Sequence, residues 1–299
     1  MPLVDFRELM QHAENKKYAV GYFESWNLES LLAAFDAAEK LKSPIILGFS
    51  GFYLTHGMRV LKDPLKLYAK LVNEACRQIK VPACSIFNES PNLDAVLEAV
   101  DHGYKIVMFT DEKISFDELA SNVAKVVDKA HKKNIAVEGE LVSLPGITNE
   151  LHEIPADLKY TSPKSAVCFI NQTGVDSLAI NIGQVHMHGK NDIHLDLNIL
   201  KEIKKSINIP LVLHGGSYLN PLEIKEAINL GIRKINVGSI LKKVYFQKLK
   251  ESTANLEADT NPYEIVGSGF GRDIAVKARL AIQEMIENFI IQYGSNNKA

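Results

Sequence analysis

Short apolar runs rich in β-branched residues alternate with longer amphipathic stretches along the whole chain. This alternation is typical of repeated β-α units, and the apolar runs predict strands of a parallel sheet covered on both faces. Eight strands are the number that closes a TIM, or (β/α)8, barrel, so we predict this α/β fold. The eight runs are Tyr18–Phe23, Pro44–Ser50, Val81–Phe87, Tyr104–Phe109, Ile135–Glu140, Ser177–Gly183, Pro210–His214 and Arg233–Val237.

Helix start and stop signals lie between these runs, as the alternation requires. Capping residues, prolines at the first helical position and closing glycines supply them. They are Ser90 before Pro91, Ser115 with Glu118, Asn220 before Pro221, and the stops Gly103 and Gly231. The stretch 272–293 has apolar residues at helical spacing and predicts a packed terminal helix. Without a low-complexity linker, residues 1–299 are expected to form one domain, with a long polar excursion at 141–161.

The composition narrows the class of protein. Hydrophobic residues make up 46% of the chain and charged residues 23%, which is typical of a globular protein with a sizeable core. Lys plus Arg (34) nearly balances Asp plus Glu (36), so no nucleic-acid or anionic-membrane partner is expected. No leader or membrane-spanning run is evident, and we expect a cytoplasmic protein. Three cysteines are too few for a disulfide scaffold and are expected to be buried: Cys76, Cys84 and Cys168.

Polar and titratable residues cluster where the predicted strands end. Functional residues of a parallel barrel lie at this carboxyl edge, so the clustering predicts an active site there. The residues are Ser50, Asn88, Glu89, Glu140, His186, His214 and Asn236. The loops after strands seven and eight read HGGS (214–217) and NVGS (236–239). Glycines let backbone N–H groups approach an anion, so these loops predict a phosphate cradle, with a pair of tight turns as the alternative.

Two of these histidines suggest a metal site. His186 and His214 are far apart in sequence but follow neighbouring strands, so only the barrel can bring them together. If both point inward, Glu89 or Glu140 completes a two-histidine, one-carboxylate site suited to Zn, Mn or Fe. The other loop histidines considered are expected to be surface or gating residues: His56, His188 and His194.

Several motifs together resemble the class II, metal-dependent ketose-bisphosphate aldolases. They are the opening MPLV with KKYAVGYF and NLES, the block KSPIILGFS, the loops VLHGGS and KINVGS, and the closing YGSNNKA. The resemblance runs the whole length of the chain. It implies a TIM barrel, a homodimer or homotetramer, and a divalent metal, with zinc expected first. It also implies cleavage of a phosphorylated ketose into dihydroxyacetone phosphate and an aldehyde.

The resemblance also assigns residues. His186 and His214 match two of the family's three metal-binding histidines, and Glu140 in VEGEL matches the glutamate that supports them. Arg279 matches an arginine that such enzymes extend toward a neighbouring subunit's active site, with a solvated helix-face charge as the alternative. Asn236 matches a residue that helps to hold the enediolate. Phosphate contacts map onto Ser50, Lys190, Gly215, Ser217, Asn236 and Ser239.

The chain departs from this family after strand three. There the family has Leu-Asp-His-Gly, with an acid/base aspartate and the third metal-binding histidine, whereas this chain has Asn88 and Glu89. Asn88 cannot accept the proton, so Glu89 is the expected substitute as ligand or base, with Mn or Fe then possible beside Zn. The later Asp-His-Gly at 101–103 falls at the wrong barrel edge and is expected to cap a helix. Gly238 replaces an acidic or amide residue that contacts the sugar, and Met187 replaces a glycine.

Three functions are compatible with these residues. The first is a divergent class II aldolase that cleaves or forms a C–C bond in a phosphorylated ketose through a metal-stabilised enediolate. The second is a metal-dependent sugar-phosphate epimerase or isomerase, because the same enediolate serves proton transfer next to a carbonyl. The third is a non-catalytic barrel that binds sugar phosphates, for which Asn88 is the best argument.

Overall fold

Eight parallel strands close a barrel in chain order in the computed structural model, which describes residues 2–146, 158–186, 193–257 and 259–299. The strands are β1 Val20–Phe23, β2 Ile45–Ser50, β3 Ala83–Ser90, β4 Ile106–Phe109, β5 Ala136–Glu140, β6 Ser177–Ile180, β7 Leu211–Leu213 and β8 Ile232–Val237. β8 pairs in parallel with β1, which completes the ring. The predicted TIM barrel is confirmed.

Helices connect the strands and surround the barrel. They are α1 Phe6–Lys16, α2 Leu28–Leu41, α3 Gly51–Thr55, α4 Leu65–Gln78, α5 Leu93–Asp101, α6 Phe116–His131, α7 Pro163–Thr173, α8 Leu197–Ser206, α9 Pro221–Asn229, α10 Ser239–Thr253, α11 Pro262–Ile265 and α12 Ile274–Gln292, with a short 3-10 turn at Gly216–Tyr218. The predicted caps at Ser115 and Asn220 are confirmed, since each side chain accepts a backbone N–H of the first turn. The predicted terminal helix is α12, which packs against α2 and α10.

Two predicted boundaries are wrong for identifiable reasons. Ser90 does not cap a helix, because it is the last residue of β3. Its carbonyl accepts a hydrogen bond from the backbone N–H of Thr110, which directly follows β4. Asn92 caps α5 instead, through a hydrogen bond from Ala95 N. β6 ends at Ile180 rather than residue 183, because the N–H of Asn181 donates to the side chain of Thr161, outside the barrel ladder.

The barrel interior is closed at its amino end. Inward-facing side chains of the strands form one apolar cluster with residues of α1, and Leu3 bridges to Ala83 at the start of β3. α1 therefore plugs this end and leaves the carboxyl edge as the accessible end of the barrel. A second apolar layer fills the space between strands and outer helices.

The cysteines follow the prediction only in part. Cys76 and Cys84 are buried, whereas Cys168 is exposed. Cys168 lies on the solvent side of α7, whose buried positions are Ala166, Phe169 and Thr173. Within the described ranges, no helix is both long and apolar enough to span a membrane.

Candidate active site

The carboxyl edge of the barrel brings most of the predicted site residues to one cavity of about 110 Å³. Its lining includes Ser50, Asn88, Glu89, His186, Gly215, Ser217, Asn236 and Ser239. Glu140 lines an adjoining cavity of about 340 Å³, which shares Glu89 and His186 with the first. Residues from the ends of four strands, β2, β3, β5 and β8, therefore meet residues that follow β6, β7 and β8, as the clustering in the sequence predicted.

The end of β3 has an unusual shape that decides where Glu89 points. The pairing of β3 with β4 changes register between Phe87 and Ser90, and Glu89 has a φ of 48°. A non-glycine residue in this left-handed region costs about 1–2 kcal/mol, and such distortions re-aim side chains next to functional sites. Asn88 and Glu89 were predicted to follow the strand, but both lie within it. The irregular strand end brings the Glu89 carboxylate to 2.7 Å from His214 Nδ1.

His214 stands among three buried carboxylates. Its Nε2 lies 3.0 Å from Glu138 Oε1, and its Nδ1 lies 2.7 Å from Glu89 Oε1 and 3.3 Å from Glu140 Oε1. The second Glu140 oxygen accepts a 3.0 Å hydrogen bond from Thr110. His214 Nδ1 and Glu140 Oε1 are both buried, and neither has an aligned hydrogen-bond partner in the described ranges. These two atoms therefore lie close together without forming an aligned hydrogen bond with each other.

A buried lysine continues this network toward the two asparagines. Lys234 Nζ lies 2.9 Å from Glu138 Oε1 and 2.7 Å from Asn236 Oδ1. Asn236 Nδ2 in turn lies 3.5 Å from Asn88 Oδ1. Glu138 and Lys234 were not singled out from the sequence, although a signal exists. Each occupies the same strand face as a predicted site residue two positions later, because side chains alternate along a strand.

The charges explain the titration of the central pair. Burial alone would raise the pKa of Glu89, but the positive charge of the adjacent His214 outweighs this effect and holds this pKa below its usual value. Burial alone would lower the pKa of His214, but Glu89 and the other two carboxylates raise it well above its usual value. Three carboxylates thus face one lysine and one histidine. This surplus of acidic groups favours a cation at the unsatisfied atoms.

The donor chemistry fits a divalent cation, although a full ligand set is not assembled. An imidazole nitrogen without an aligned partner beside a carboxylate oxygen is the donor pair that such ions bind. In residues 2–146, 158–186, 193–257 and 259–299, no three His, Cys, Asp or Glu side chains are arranged to hold a metal. His186 lines both cavities, and the chain that follows it, 187–192, lies outside the described residues. That segment includes the predicted phosphate ligand Lys190, as well as Met187 and His188.

The loops after β7 and β8 bring together several groups that can donate hydrogen bonds, at the position where the sequence predicted an anion cradle. Gly215 has a φ of 67°, and a Cβ there would stand 2.8 Å from the carbonyl oxygen of Val185, so only glycine suits this position. Ser239 begins the 15-residue helix α10, and its hydroxyl lies 3.1 Å from that of Ser217. A helix amino end with two hydroxyls and a close glycine backbone has the donors that a phosphate group needs.

The remaining predicted residues have different surroundings. Arg279 pairs with Asp36 of α2, with Nε 2.9 Å from Oδ2, and it lines neither cavity. His194 contacts Glu223 at 2.8 Å, whereas His56 lines the larger cavity. The Asp-His-Gly sequence at 101–103 closes α5, as expected.

Comparison with known proteins gives the family of the chain. The model of the family described as fructose-bisphosphate aldolase class-II matches residues 4–298. The chain belongs to this family of aldolases. Class II aldolases generally depend on a divalent metal, in agreement with the donor chemistry around His214.

Relatives of the whole chain carry aldolase names. The chain is 32% identical over 302 residues to a protein of Bacillus subtilis (strain 168) named "Probable fructose-bisphosphate aldolase", and it covers all of both sequences. It is 30% identical over 301 residues to the sulfofructosephosphate aldolase of Alkalicoccus urumqiensis, covering 100% of this chain and 99% of that one. The crystal structure of the YdjI aldolase from Escherichia coli K12 superposes with a TM-score of 0.79 at 28% identity and 99% coverage of both chains.

Proposed function

We propose that this protein is a class II aldolase that cleaves or forms a C–C bond in a phosphorylated ketose, with dihydroxyacetone phosphate as the donor. One observation carries the proposal. The anion cradle of Gly215, Ser217 and Ser239 and the buried pair of Glu89 and His214 border the same region, since all but His214 line one cavity. A phosphate in the cradle would hold the carbonyl end of a short sugar beside the cation-attracting cluster.

The metal belongs to the proposal rather than to the described contacts. His214, Glu89 and His186 would hold a divalent cation, most naturally zinc, and the carboxylate in place of a third histidine also suits manganese or iron. When bound, such a cation polarises the substrate carbonyl and stabilises the negative charge that develops on its oxygen. Side chains of the protein itself would orient the metal ligand, stabilise the enediolate and exchange the proton.

The buried contacts of Glu138 and Lys234 fix the orientation of His214 and Asn236. Glu138 accepts the Nε2–H of His214, which fixes the ring orientation and directs Nδ1 toward Glu89. Lys234 holds Asn236 through its amide oxygen, so the NH2 group, one hydrogen of which faces Asn88, can donate its second hydrogen toward the cavity that Asn236 lines. A preorganised donor of this kind stabilises an enediolate oxygen.

The proton-transfer group differs from the family pattern. Asn88 lies in the cavity but has no group that exchanges a proton, and Glu89 is engaged with His214. Glu140 Oε1 is buried without an aligned partner among the residues that the structure describes, and Glu140 lines the larger cavity next to Glu89. We assign proton exchange to Glu140, because a buried carboxylate with one uncommitted oxygen has the geometry of a general base.

Product analysis tests this function against the two alternatives. The protein would be incubated with fructose 1,6-bisphosphate and tagatose 1,6-bisphosphate, and the products separated and weighed by mass spectrometry. Release of dihydroxyacetone phosphate, abolished in Glu140→Gln but not in the exposed control Glu226→Gln, supports aldol cleavage. A product with the carbon number of the substrate indicates an epimerase or isomerase instead. Binding without any product indicates a sugar-phosphate-binding barrel, for which Asn88 in the cavity is the supporting observation.

A further inference from the structure

Glu24 fills the space left by the missing side chain of Gly238. Glu24 directly follows β1, and its N–H donates to the carbonyl of Val237 across 2.9 Å at the end of β8. A Cβ built on Gly238 would stand 2.4 Å from Glu24 Oε2 and 3.4 Å from its Cβ and Cδ. The carboxylate therefore occupies the volume where a residue at position 238 would begin its side chain.

Gly238 is not a left-handed glycine. Its φ is −138° and its ψ is −62°, so a positive φ does not explain the residue at this position. Among the described residues, Glu24 alone would lie within 3.0 Å of a Cβ at position 238. The glycine and the glutamate are thus complementary, with one supplying the room that the other uses.

Lys242 holds this carboxylate in place. Lys242 lies one turn into α10 and forms an ion pair with Glu24 Oε1, while its ammonium stands 4.0 Å from the centre of the Tyr53 ring. Glu24 Oε2 is turned toward Gly238 on the cavity wall. Burial raises the pKa of Glu24, and Lys242 partly offsets this effect. A poorly solvated carboxylate that is anchored through one oxygen is a strong acceptor at the other.

A second polar group on the same wall lacks a partner. Tyr22, two residues earlier, is 1% exposed and lines the same cavity as Glu24. Its hydroxyl is buried and has no hydrogen-bond partner in the described ranges. A buried hydroxyl left in this way indicates that a polar ligand completes the wall. Tyr22 lies in β1 and Glu24 directly follows it, in a part of the chain where the sequence predicted no site residue.

We propose, resting on the function proposed above, that Glu24 determines the substrate specificity of this aldolase. Its Oε2 accepts a hydrogen bond from a hydroxyl on the carbon chain of the ketose, in place of a side chain at position 238. The resemblance to class II aldolases led us to expect an acidic or amide residue at position 238 that contacts the sugar. Here an acidic group reaches the same volume from the opposite side, from β1.

Binding of uncleavable hexitol bisphosphates tests the proposal without turnover. Glucitol, mannitol and galactitol 1,6-bisphosphates differ in hydroxyl configuration and lack the carbonyl needed for cleavage, so calorimetry on the protein as purified gives their Kd values directly. We expect the wild type to prefer one isomer. Glu24→Gln keeps the size of the side chain and removes its charge. It should weaken the binding of that isomer by roughly 10- to 100-fold and reduce the difference in Kd among the three isomers. The exposed control Glu226→Gln should match the wild type.

The failures are distinguishable. If the wild type binds none of the hexitol bisphosphates, the sugar-phosphate function fails and the role of Glu24 fails with it. If the wild type binds with a preference that Glu24→Gln retains in full, only the role of Glu24 is overturned.

A double-mutant cycle with Gly238→Ala checks the shared space. The clash falls on the movable end of Glu24, so the alanine should displace the carboxylate and reduce the preference among the three isomers as Glu24→Gln does. The double variant should then lose no more affinity than the weaker-binding single variant, since both substitutions remove the same contact. Fully additive losses would show that the two positions act independently and would overturn the proposal. Thermal unfolding of each variant shows whether it is folded, which separates a change in binding affinity from a loss of the fold.

Discussion

His214 and Glu138 form a fully buried pair, with Nε2 of the ring 3.0 Å from Oε1 of the carboxylate. Burial would raise the pKa of Glu138, but Lys234 and His214 hold it below its usual value, so the carboxylate accepts and Nε2 carries the proton. This contact sets the ring so that Nδ1 faces Glu89 and Glu140. The orientation of the proposed metal ligand therefore depends on a fully buried residue that is not part of the lining of the two cavities.

Replacing Glu138 by glutamine should weaken metal binding. The amide no longer supplies the negative charge that fixes the His214 ring, and losing such a supporting carboxylate typically lowers metal affinity by about 10–100-fold. Competition with a chromogenic chelator measures the affinity. Glu118→Gln on the exposed side of α6 is the control. Equal affinities in Glu138→Gln and the wild type would show that His214 is not oriented by this contact for metal binding.

Lys234→Met should destabilise the fold strongly. Lys234 is fully buried and pairs with Glu138, so its removal leaves a buried carboxylate with one cation fewer. Removing one partner of a buried ion pair costs about 3–5 kcal/mol. Denaturant unfolding should show this loss, while Lys225→Met on the exposed side of α9 should stay within about 0.5 kcal/mol of the wild type. A loss below about 1 kcal/mol in Lys234→Met would mean that the pair contributes little.

The double variant Asn88→Asp with Glu89→His should restore or raise cleavage of fructose or tagatose bisphosphate. It returns an acid/base aspartate and a third histidine, and a positioned acid/base group is worth about 10²–10⁴-fold in rate. Histidine suits the φ of 48° at position 89, because it is enriched among non-glycine residues in this region. A coupled assay for triose phosphate measures the gain. An unchanged rate would locate the divergence in the substrate pocket rather than in these two residues.

Gly48→Ala should destabilise the barrel itself. A Cβ at Gly48 would stand 2.1 Å from the backbone oxygen of Ile86 on the neighbouring strand, which cannot move without disturbing the sheet. Overpacking of this kind costs about 1–3 kcal/mol or more. Gly57→Ala is the matched control, since no atom of the described part of the chain lies within 4 Å of its added carbon. Thermal unfolding compares the two, and equal midpoints would show that the strands relax around the new methyl group.

The sequence predicted those parts of the structure that depend on local pattern. Apolar runs located all eight strands, and capping residues such as Ser115 and Asn220 located helix starts, because both signals come from neighbours in sequence. The strand ends then indicated which polar residues would meet. The family resemblance was confirmed over residues 4–298.

The features that escaped prediction depend on contacts between distant residues. Glu138 and Lys234 lie inside strands, where a charged residue interrupts the apolar pattern and gives no sign of a function. They are distant in sequence, and only the closed barrel brings them together as an ion pair. The register change that turns Glu89 toward His214 is a property of β3 against β4, with no local signal. The complementarity of Glu24 and Gly238 joins the two strands that close the ring, β1 and β8, so only the barrel makes it visible.

The metal dependence of C–C bond cleavage tests the central claim most directly. Triose phosphate release from fructose and tagatose 1,6-bisphosphates would be measured on the protein as purified, after treatment with a chelator, and after restoring Zn²⁺, Mn²⁺ or Fe²⁺, with the metal content of each sample determined by elemental analysis. We predict that release stops on chelation and returns with near-stoichiometric metal. Release that continues unchanged from metal-free protein, or no release from metal-loaded protein, would contradict the account.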